Sequence, residues 1–353
     1  MSEPLGERAG RAQRTPGTSA VVTGAAGWLG QNLVRALVPT GRRVRCLVRT
    51  AEEGALLEVL SPSVEVVVGD VRDPSAVDAL FSGVGEAGVF HAAAVIHPTG
   101  RVRELFDVNV GGTQLVLDRA KRAGAARFLH VSSNSPFGAN PSTEDRFTEE
   151  SPYNPYLGYG RSKMEAEQLV RAYHDRGDVS AVILRAPWFY GPFQPERQTR
   201  FIATVRRGRF PVIGDGSARR SMVYTGNLVQ GLLKAEASDV APGRAYWIAD
   251  AEPYAVRDVV ETVRRAAADE GLPVSGGSPR IPVPLARLAA GLDAVLQTRG
   301  RYVQPLHVLG ELKDTIACDV SRARDELGYA PEVDLYEGMR ASIRWCLERG
   351  EPV

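Results

Sequence analysis

The chain has 353 residues, enough for one large α/β domain with a smaller lobe. Its 43 basic and 42 acidic side chains leave a formal net charge of +1, so no overall field attracts nucleic acid or an anionic membrane, and any anion must be bound by a local group of residues. Three cysteines without metal-ligand spacing argue against a disulfide framework and a metal site, and favour a reducing compartment, the cytoplasm.

The chain is predicted to have three parts. Residues 1–18 combine charges, glycine and proline without an apolar stretch, so they predict a disordered tail that is neither a signal peptide nor an anchor. Residues 19–190, in which the glycine-rich turn TGAAGWLG follows the first apolar run, are predicted to form a dinucleotide-binding domain. Residues 191–353, with glycine- and proline-rich interruptions, are predicted to form mainly a substrate-binding lobe, with some segments that return to the first domain. No segment is long and apolar enough to span a bilayer.

Six short apolar or β-branched runs alternate with helix-like segments. Such alternation predicts a parallel sheet with helices on both faces, a doubly wound α/β (Rossmann) fold whose ligand binds at the carboxyl ends of the strands. The six runs are SAVVTG, RRVRCLVRT, VEVVVGD, AGVFHAAA, ARFLHVSS and SAVILRAPW.

The first run enters a helix through a glycine-rich turn, TGAAGWLG. Gly24 allows a tight turn, Gly27 lets the backbone approach a pyrophosphate, and Gly30 lets the helix pack closely on its strand. Trp28 and Leu29 open the helix, whose N–H groups and dipole favour a phosphate. A glycine pattern of this kind also occurs in turns that bind nothing, so a second motif must decide.

The second motif is YGRSK, which places Tyr159 and Lys163 four residues apart on one face of a predicted helix. A nearby ammonium is expected to lower the pKa of the tyrosine by stabilising its phenolate. The strand before this helix ends on Ser132 and Ser133.

Together, the turn, the strand-end serines and the Tyr/Lys pair resemble the extended branch of the short-chain dehydrogenase/reductase superfamily, the NAD-dependent epimerase/dehydratase family. The resemblance runs from about residue 19 to at least residue 235, with a T-G-x-x-G-x-x-G turn and a Y-x-x-x-K pair. The segments GDVRD, VFHAAA, DVNVGGT and LRAPWFYGP follow in the family's order. The resemblance implies that the glycine turn holds the pyrophosphate of a nicotinamide dinucleotide.

The resemblance also implies a role for each matching residue. Tyr159 is expected to be the general acid or base, Lys163 to bind the nicotinamide ribose and lower the tyrosine pKa, and Ser133 to orient the substrate oxygen. Asp70 and its neighbour are expected beside the adenine, although Asp70 is also compatible with a turn cap, and Asn109 is expected to support the helix that faces the site. The residues expected to contact or support the cofactor are Gly24, Gly27, Trp28, Leu29, Gly30, Arg49, Asp70, Val71, Ala92, Ala93, Ala94, Asn109, Ser132, Tyr159, Lys163 and Pro187.

The end of the second strand bears on the choice between NADP and NAD. Enzymes that prefer NAD usually have an acid there, which accepts hydrogen bonds from the ribose hydroxyls. This chain has Val48 and Arg49 instead, and a guanidinium suits a 2′-phosphate, as in dihydroflavonol-reductase-like relatives. NADP is therefore the preferred prediction. NAD stays open, because Arg49 is also compatible with an exposed strand-end charge.

The residues around the site also bear on the reaction. Asn134 and Ser135 stand where sugar-nucleotide dehydratases usually carry Asp and Glu, which disfavours dehydration. The predicted function is hydride transfer between a nicotinamide cofactor and a secondary alcohol or ketone, as in hydroxysteroid dehydrogenase-like enzymes. The alternative is a nucleotide-sugar epimerase with tightly bound NAD, because Arg220 matches an arginine that contacts the substrate diphosphate in such enzymes. A non-catalytic nucleotide sensor is a third hypothesis, disfavoured by the complete Ser-Tyr-Lys set.

Two further segments concern partners and substrate. In relatives, the helix after Asn109 and the helix that holds Tyr159 pair with their symmetry mates, so a homodimer is expected. The segment IPVPLARLAAGLDAVL, residues 281–296, lies where such relatives often close over a hydrophobic substrate, and it is also compatible with a core helix of the smaller lobe. The apolar positions expected in the dimer contact are Leu115, Val116, Leu169 and Val170.

Overall fold

The computed structural model describes residues 14–353. Most of the predicted tail, residues 1–13, lies outside the described residues. Arg14 is tied to the folded domain at two points: its backbone N–H donates to the carbonyl oxygen of Ala237 at 2.7 Å, and its guanidinium donates to the carbonyl oxygen of Ala126 at 3.2 Å.

The strands of the described residues fall into one large sheet and three small pairs. Seven strands form a parallel sheet in the order β11-β6-β5-β4-β1-β2-β3, and the remaining six form two-stranded pairs. The strands are β1 Ser19–Thr23, β2 Arg43–Val48, β3 Val64–Val68, β4 Gly88–His91, β5 Arg127–Ser133, β6 Ala181–Ala186, β7 Trp188–Tyr190, β8 Val212–Ile213, β9 Arg219–Arg220, β10 Met222–Tyr224, β11 Ala245–Trp247, β12 Tyr254–Ala255 and β13 Arg280–Ile281.

The doubly wound sheet confirms the predicted fold, and the six predicted runs are β1 to β6. The edge strand β11 was not predicted. Its three residues, AYW, are too short to show a periodic pattern, and they come from the half of the chain expected to build mainly the second lobe.

Helices cover both faces of the sheet and build the second lobe. One long helical segment contains a π-helical turn, Asp107–Gly112, between α4 and α5. The helices are α1 Trp28–Leu37, α2 Ala51–Glu58, α3 Pro74–Phe81, α4 Arg103–Phe106, α5 Thr113–Ala123, α6 Leu157–Asp175, α7 Glu196–Arg206, α8 Thr225–Ala237, α9 Val256–Asp269, α10 Val283–Thr298, α11 Gln304–Glu311 and α12 Leu335–Glu348.

The apolar core has one part on each face of the sheet and a third part in the second lobe. Helices α1 and α8 pack on one face, through residues such as Leu33 and Leu232. Helices α3, α5 and α6 pack on the other face, through residues such as Leu80. The third part joins α9 and α12, through residues such as Val259 and Met339. The carboxyl end of β6 leads into β7, whose Tyr190 belongs to this third part of the core.

Two of the four positions expected in the dimer contact lie elsewhere. Val116 and Val170 are fully buried inside the chain's own core, because they face the sheet from α5 and α6. Leu115 and Leu169 are only half-buried and pack at the margin of that core. The assignment of Val116 and Val170 to a contact between copies was therefore wrong.

The predicted apolar segment is α10, and it is not a core helix. Its inner face buries Ala286 and Ala289, whereas Leu285, Leu288 and Leu292 are exposed. Within residues 14–353, none of the helices has the length and apolarity that crossing a bilayer requires.

Candidate active site

The glycine turn leaves room that no other residue would leave. Gly24 has φ +67°, and a Cβ there would lie 2.8 Å from the backbone nitrogen of Ala93. A Cβ on Gly30 would lie 2.1 Å from the carbonyl oxygen of Gly24, so helix and turn are in direct backbone contact. Gly27, whose N–H closes the turn onto the carbonyl oxygen of Gly24 at 3.0 Å, precedes the first residue of α1.

The first turn of α1 has the properties of an anion site. No side chain caps the helix, and its first turn carries no acid, so its N–H groups and the positive end of its dipole are available to a phosphate. The indole of Trp28 turns away and donates to the carbonyl oxygens of Gly191 and Pro192 at 3.2 and 3.0 Å. Leu29 is buried in the core. Trp28 therefore joins the turn to the loop after β7.

The segment after β4 lies directly against this turn. The N–H groups of Ala92 and Ala93 donate to the backbone oxygen and the hydroxyl of Thr23, each at 3.3 Å. Ala94 follows and is exposed. The structure thus brings the three alanines to the edge of the sheet where Gly24 turns. Small side chains leave this edge open.

Two serines at the end of β5 reach the same edge. Ser132 is buried, and its Oγ is without a hydrogen-bond partner among the described residues. Its neighbour Ser133 lies 3.3 Å, oxygen to oxygen, from Ser135 and accepts from the N–H of Ser135. An orphaned buried hydroxyl at the edge of the sheet that also carries the glycine turn fits a polar ligand such as a dinucleotide.

Tyr159 and Ser133 are in contact at this edge, where α6 begins. Burial raises the pKa of Tyr159 to about 12, while the hydrogen bond with Ser133 and the charge of Arg197 act to lower it. The charge of Lys163 is not among the influences on the pKa of Tyr159 in this structure, so the lowering expected from it stays a prediction. Leu157, two residues before Tyr159, has φ +52°, a conformation that costs a branched side chain free energy.

Lys163 points toward β5. Its Nζ donates to the carbonyl oxygen of Val131 at 2.8 Å and lies 3.3 Å from Nε2 of His130. Burial lowers the pKa of Lys163 to about 8, with Glu167 acting in the opposite direction. The ammonium is therefore held by β5 rather than by the tyrosine four residues earlier.

Asn109 lies in the π-helical turn and holds two elements together. Its Oδ1 accepts from the N–H of Val95 at 2.8 Å, and its Nδ2 donates to the carbonyl oxygen of Val95 and to Oγ of Ser162. Ser162 precedes Lys163 on α6. These hydrogen bonds join the π-helical turn to the segment after β4 and to α6.

The residues after β3 are near the expected adenosine side but are engaged with each other. Asp70 accepts three hydrogen bonds from Arg72, each of 2.8 Å. The bonds from the Arg72 side chain are the main reason why the pKa of Asp70 lies below its usual range. Val71 is buried and packs against Gly112. These contacts of Asp70 are those of a turn cap, the alternative to an adenine contact.

Arg49 is largely exposed, with 79% of its side chain accessible, and its guanidinium lies 3.1 Å from Glu53. The same carboxylate accepts from the backbone N–H of Arg49 at 2.8 Å. Val48 and Arg49 stand at the end of β2 as expected, but the first turn of α2 brings the carboxylate of Glu53 back to that point. Sequence reasoning missed Glu53 because it considered only the residues that directly follow the strand.

Two more expected residues lie beyond this edge. Pro187 is buried between β6 and β7, next to the end of β5. Arg220 is buried under α11, where its guanidinium donates to the carbonyl oxygen of Glu311 and its Nε is without a partner among the described residues. Arg220 is therefore withdrawn from solvent.

Sequence reasoning missed the groups on the far side of Tyr159. Arg197, at the start of α7, is exposed, yet its positive charge acts to lower the pKa of Tyr159. Burial is the main cause that lowers the pKa of His97, and the charge of Arg197 adds to it. His97 lies 2.5 Å from the hydroxyl of Tyr302. No spacing in the sequence relates these residues to Tyr159. Within residues 14–353, no group of three acids, histidines or cysteines is placed to hold a metal ion.

Known proteins resemble this chain over most of its length. The model of the NAD-dependent epimerase/dehydratase family matches residues 20–249. The protein y4nL of Sinorhizobium fredii is 43% identical over 344 residues, which cover 94% of this chain and 96% of that protein. A 3β-hydroxysteroid dehydrogenase/Δ5→4-isomerase of Mycobacterium tuberculosis is 32% identical over 332 residues, which cover 88% of this chain and 85% of the relative.

Solved structures give the same fold. The dTDP-glucose 4,6-dehydratase DesIV of Streptomyces venezuelae, solved with NAD and TYD bound, has a TM-score of 0.72 and 25% identity, over 94% of this chain and 98% of that chain. The chain belongs to the NAD-dependent epimerase/dehydratase family, as the motifs predict, and it is an enzyme.

Proposed function

We propose that the protein transfers a hydride between a nicotinamide cofactor and a secondary alcohol or ketone. The observation that carries this proposal is the contact between Tyr159 and Ser133 at the carboxyl edge of β5, beside the open turn at Gly24. This edge of a parallel sheet is where such folds bind their ligands. The hydroxysteroid dehydrogenase relative acts on the same class of functional group.

In this proposal each side chain has one task. Ser133 donates to the substrate oxygen, and Tyr159 gives a proton to that oxygen in reduction or removes it in oxidation. The charge of Arg197 favours the phenolate form of Tyr159 that appears in reduction. The bound nicotinamide supplies or accepts the hydride.

The residues that would hold the cofactor fit a dinucleotide. The glycine turn and the uncapped start of α1 would take the pyrophosphate. The alanines after β4 and the free hydroxyl of Ser132 would line the nicotinamide half. Lys163 would reach the ribose only by leaving the carbonyl oxygen of Val131.

The state of Arg220 favours a reductase over an epimerase. An arginine that binds a substrate diphosphate has to meet it, whereas Arg220 is buried and bonded to the backbone of α11. The support expected from Arg49 has weakened, because its guanidinium is exposed and paired with Glu53. The preference for a reductase over an epimerase therefore rests on Arg220, whereas Asn134 and Ser135, which replace the acids of a dehydratase, disfavour dehydration.

For the cofactor, we propose NADP, with NAD as the alternative. Arg49 stands at the end of β2, where a guanidinium would bind a 2′-phosphate. Glu53 competes with such a phosphate for the guanidinium, and its carboxylate would accept hydrogen bonds from an unphosphorylated ribose. We place the enzyme in the cytoplasm, since Cys46, Cys318 and Cys346 are free and buried.

A homodimer is also part of the proposal. A cavity of about 550 Å³ lies on the outer side of the long helical segment and α6, lined in part by Phe106, Val110 and Leu115. Half-buried apolar side chains at such a surface suit a contact between copies.

The experiment that tests the function offers the purified enzyme NADP or NAD with a panel of apolar secondary alcohols, and NADPH or NADH with the matching ketones. The absorbance of the reduced nicotinamide should change with turnover, and Tyr159→Phe should abolish the change. A nucleotide sugar that is interconverted without any net absorbance change would identify an epimerase and overturn the proposal.

A further inference from the structure

Helix α10 carries a continuous apolar surface that the chain does not cover. Leu285, Leu288, Leu292 and Val295 follow each other at intervals of three or four residues and are 55%, 70%, 49% and 45% exposed. Residues at this spacing share one face of a helix. We call these four residues the apolar stripe. Contiguous apolar surface of this kind marks a binding face.

The surroundings of the apolar stripe are cationic. Arg280 precedes α10, Arg287 lies within it, and both are exposed. At its C-terminal end, a cavity of about 580 Å³ is lined by four arginines, which we call the arginine cluster: Arg101, Arg103, Arg299 and Arg301. Among the described residues, only Arg103 of this cluster has an acidic partner, Asp107 at 3.6 Å.

The acid of this helix is turned inward. Asp293, the single acid between residues 280 and 301, is fully buried and lies 2.9 Å from Nδ1 of His307. The outer side of α10 therefore combines apolar and positive groups without a negative one. That combination is typical of helices that lie in a membrane surface, with apolar side chains among the acyl chains and arginines at the phosphates.

A second copy of this chain fits the apolar stripe less well. If two α10 helices met across a two-fold axis, the arginines around one stripe would face the arginines around the other. Like charges facing each other at an interface disfavour the contact. An anionic bilayer has the opposite charge and an apolar interior.

The inner face of the same helix reaches the catalytic helix. Gln297 accepts from the N–H of Gly158 at 3.2 Å, and Gly158 directly precedes Tyr159. Gln297 also donates to Asp293. Helix α10 thus has its apolar stripe on one side and the start of α6 on the other.

We propose that the apolar stripe and the arginine cluster dock the enzyme on an anionic lipid surface, without crossing it. In this position the start of α6 lies close to the bilayer, where apolar substrates concentrate. The net charge of +1 is no obstacle, because the attraction is local to α10.

The test measures sedimentation of the full chain with vesicles of phosphatidylcholine, with or without phosphatidylglycerol. The wild type should bind the vesicles that contain phosphatidylglycerol, and added salt should weaken the binding. The double variant Leu288→Glu, Leu292→Glu should lose roughly tenfold or more of its partition coefficient, because two apolar anchors become anions. Replacing Arg299 and Arg301 by Gln should remove the preference for phosphatidylglycerol.

A matched control changes two exposed apolar residues at the end of α2, which is far from α10 in the sequence. Leu56→Glu, Val59→Glu changes two side chains that are 51% and 82% exposed, and it should leave vesicle binding unchanged. Thermal unfolding of each variant confirms that it is folded.

Wild-type enzyme that stays in the supernatant with both vesicle types would overturn the proposal. So would a stripe variant that binds like the wild type, or one that only changes the oligomeric state, which would make the stripe a contact between copies. No readout depends on turnover, so each outcome leaves the proposed reaction untouched.

Discussion

Nζ of Lys163 lies 3.3 Å from Nε2 of His130, one strand position behind the carbonyl oxygen of Val131 to which the same ammonium donates. Burial and the nearby Lys163 charge hold the pKa of His130 well below its ordinary value, so the ring is neutral. Its Nε2 then accepts from the ammonium, and its Nδ1 carries a hydrogen without an acceptor among the described residues. His130 is a positioning residue for the lysine in this arrangement.

Replacing His130 by Leu should lower the pKa of Lys163 further. A hydrogen bond to a charged group contributes about 1.5–3 kcal/mol, which corresponds to a shift of about one to two pKa units. The alkaline limb of the pH profile of kcat should move to lower pH by about that amount, while stability changes little because an unsatisfied N–H is also removed. The conservative His130→Gln, which keeps an acceptor, should restore the limb. An unchanged profile in His130→Leu would show that the contact has no influence on Lys163.

The removal of one hydroxyl tests the proton transfer itself. Tyr159→Phe keeps the ring and loses the group that exchanges a proton with the substrate, so kcat should fall by about a hundredfold or more. The dissociation constant of the cofactor, measured by titration of the tryptophan fluorescence, should stay nearly the same. A variant that retains more than about a tenth of the wild-type rate would remove Tyr159 from the mechanism.

The glycine turn is tested by a pair of substitutions with similar backbone angles. Gly24 and Gly41 have φ of +67° and +75°, but a Cβ would meet the backbone of Ala92 and Ala93 only at Gly24, and nothing within 4 Å at Gly41. Gly41→Ala should cost roughly 1–2 kcal/mol for its left-handed conformation alone. Gly24→Ala should cost more and should weaken cofactor binding at least about tenfold, since the turn must shift.

Denaturant unfolding and cofactor titration measure the two effects separately. Equal losses of stability in the two variants, together with unchanged cofactor binding, would mean that the close approach at Gly24 serves packing only.

Cofactor choice is tested at the pair Arg49 and Glu53. Arg49→Ala should weaken NADP binding by about 1.5–3 kcal/mol and leave NAD binding almost unchanged, because only the 2′-phosphate loses a charged partner. Glu53→Gln should act in the opposite direction, since it frees the guanidinium and removes a carboxylate from the ribose side. The ratio of the two dissociation constants is the measurement. A ratio that neither substitution moves would locate cofactor selection elsewhere.

These residues also show what the sequence could predict. The strands β1 to β6 are short runs rich in apolar and β-branched residues, and the glycine turn has fixed spacing, so local pattern identifies both. The position of Glu53 depends on the direction in which α2 leaves β2, and the burial of Arg220 depends on where α11 packs. Such placements follow from tertiary packing, which a local pattern does not contain.

Asp250 makes stability depend on pH in a direction opposite to that of most carboxylates. It is 5% exposed and accepts from the hydroxyls of Tyr190 at 2.6 Å and Tyr254 at 3.2 Å. Burial raises the pKa of Asp250 to about 6, against 3.8 in an unperturbed side chain, although the bond from Tyr190 acts to lower it. The folded chain therefore binds this proton more tightly than the unfolded chain does.

It follows that the contribution of Asp250 to the free energy of unfolding is full below about pH 4 and is lost as the pH rises to about 6, a change of about 3 kcal/mol. Asp250→Asn cannot lose a proton, so its free energy of unfolding should fall less than that of the wild type across this window. Tyr190→Phe removes a donor that stabilises the carboxylate, so in that variant the window should extend to higher pH. Denaturant unfolding at a series of pH values measures both effects, and parallel curves for the wild type and Asp250→Asn would mean that Asp250 titrates normally in the folded chain.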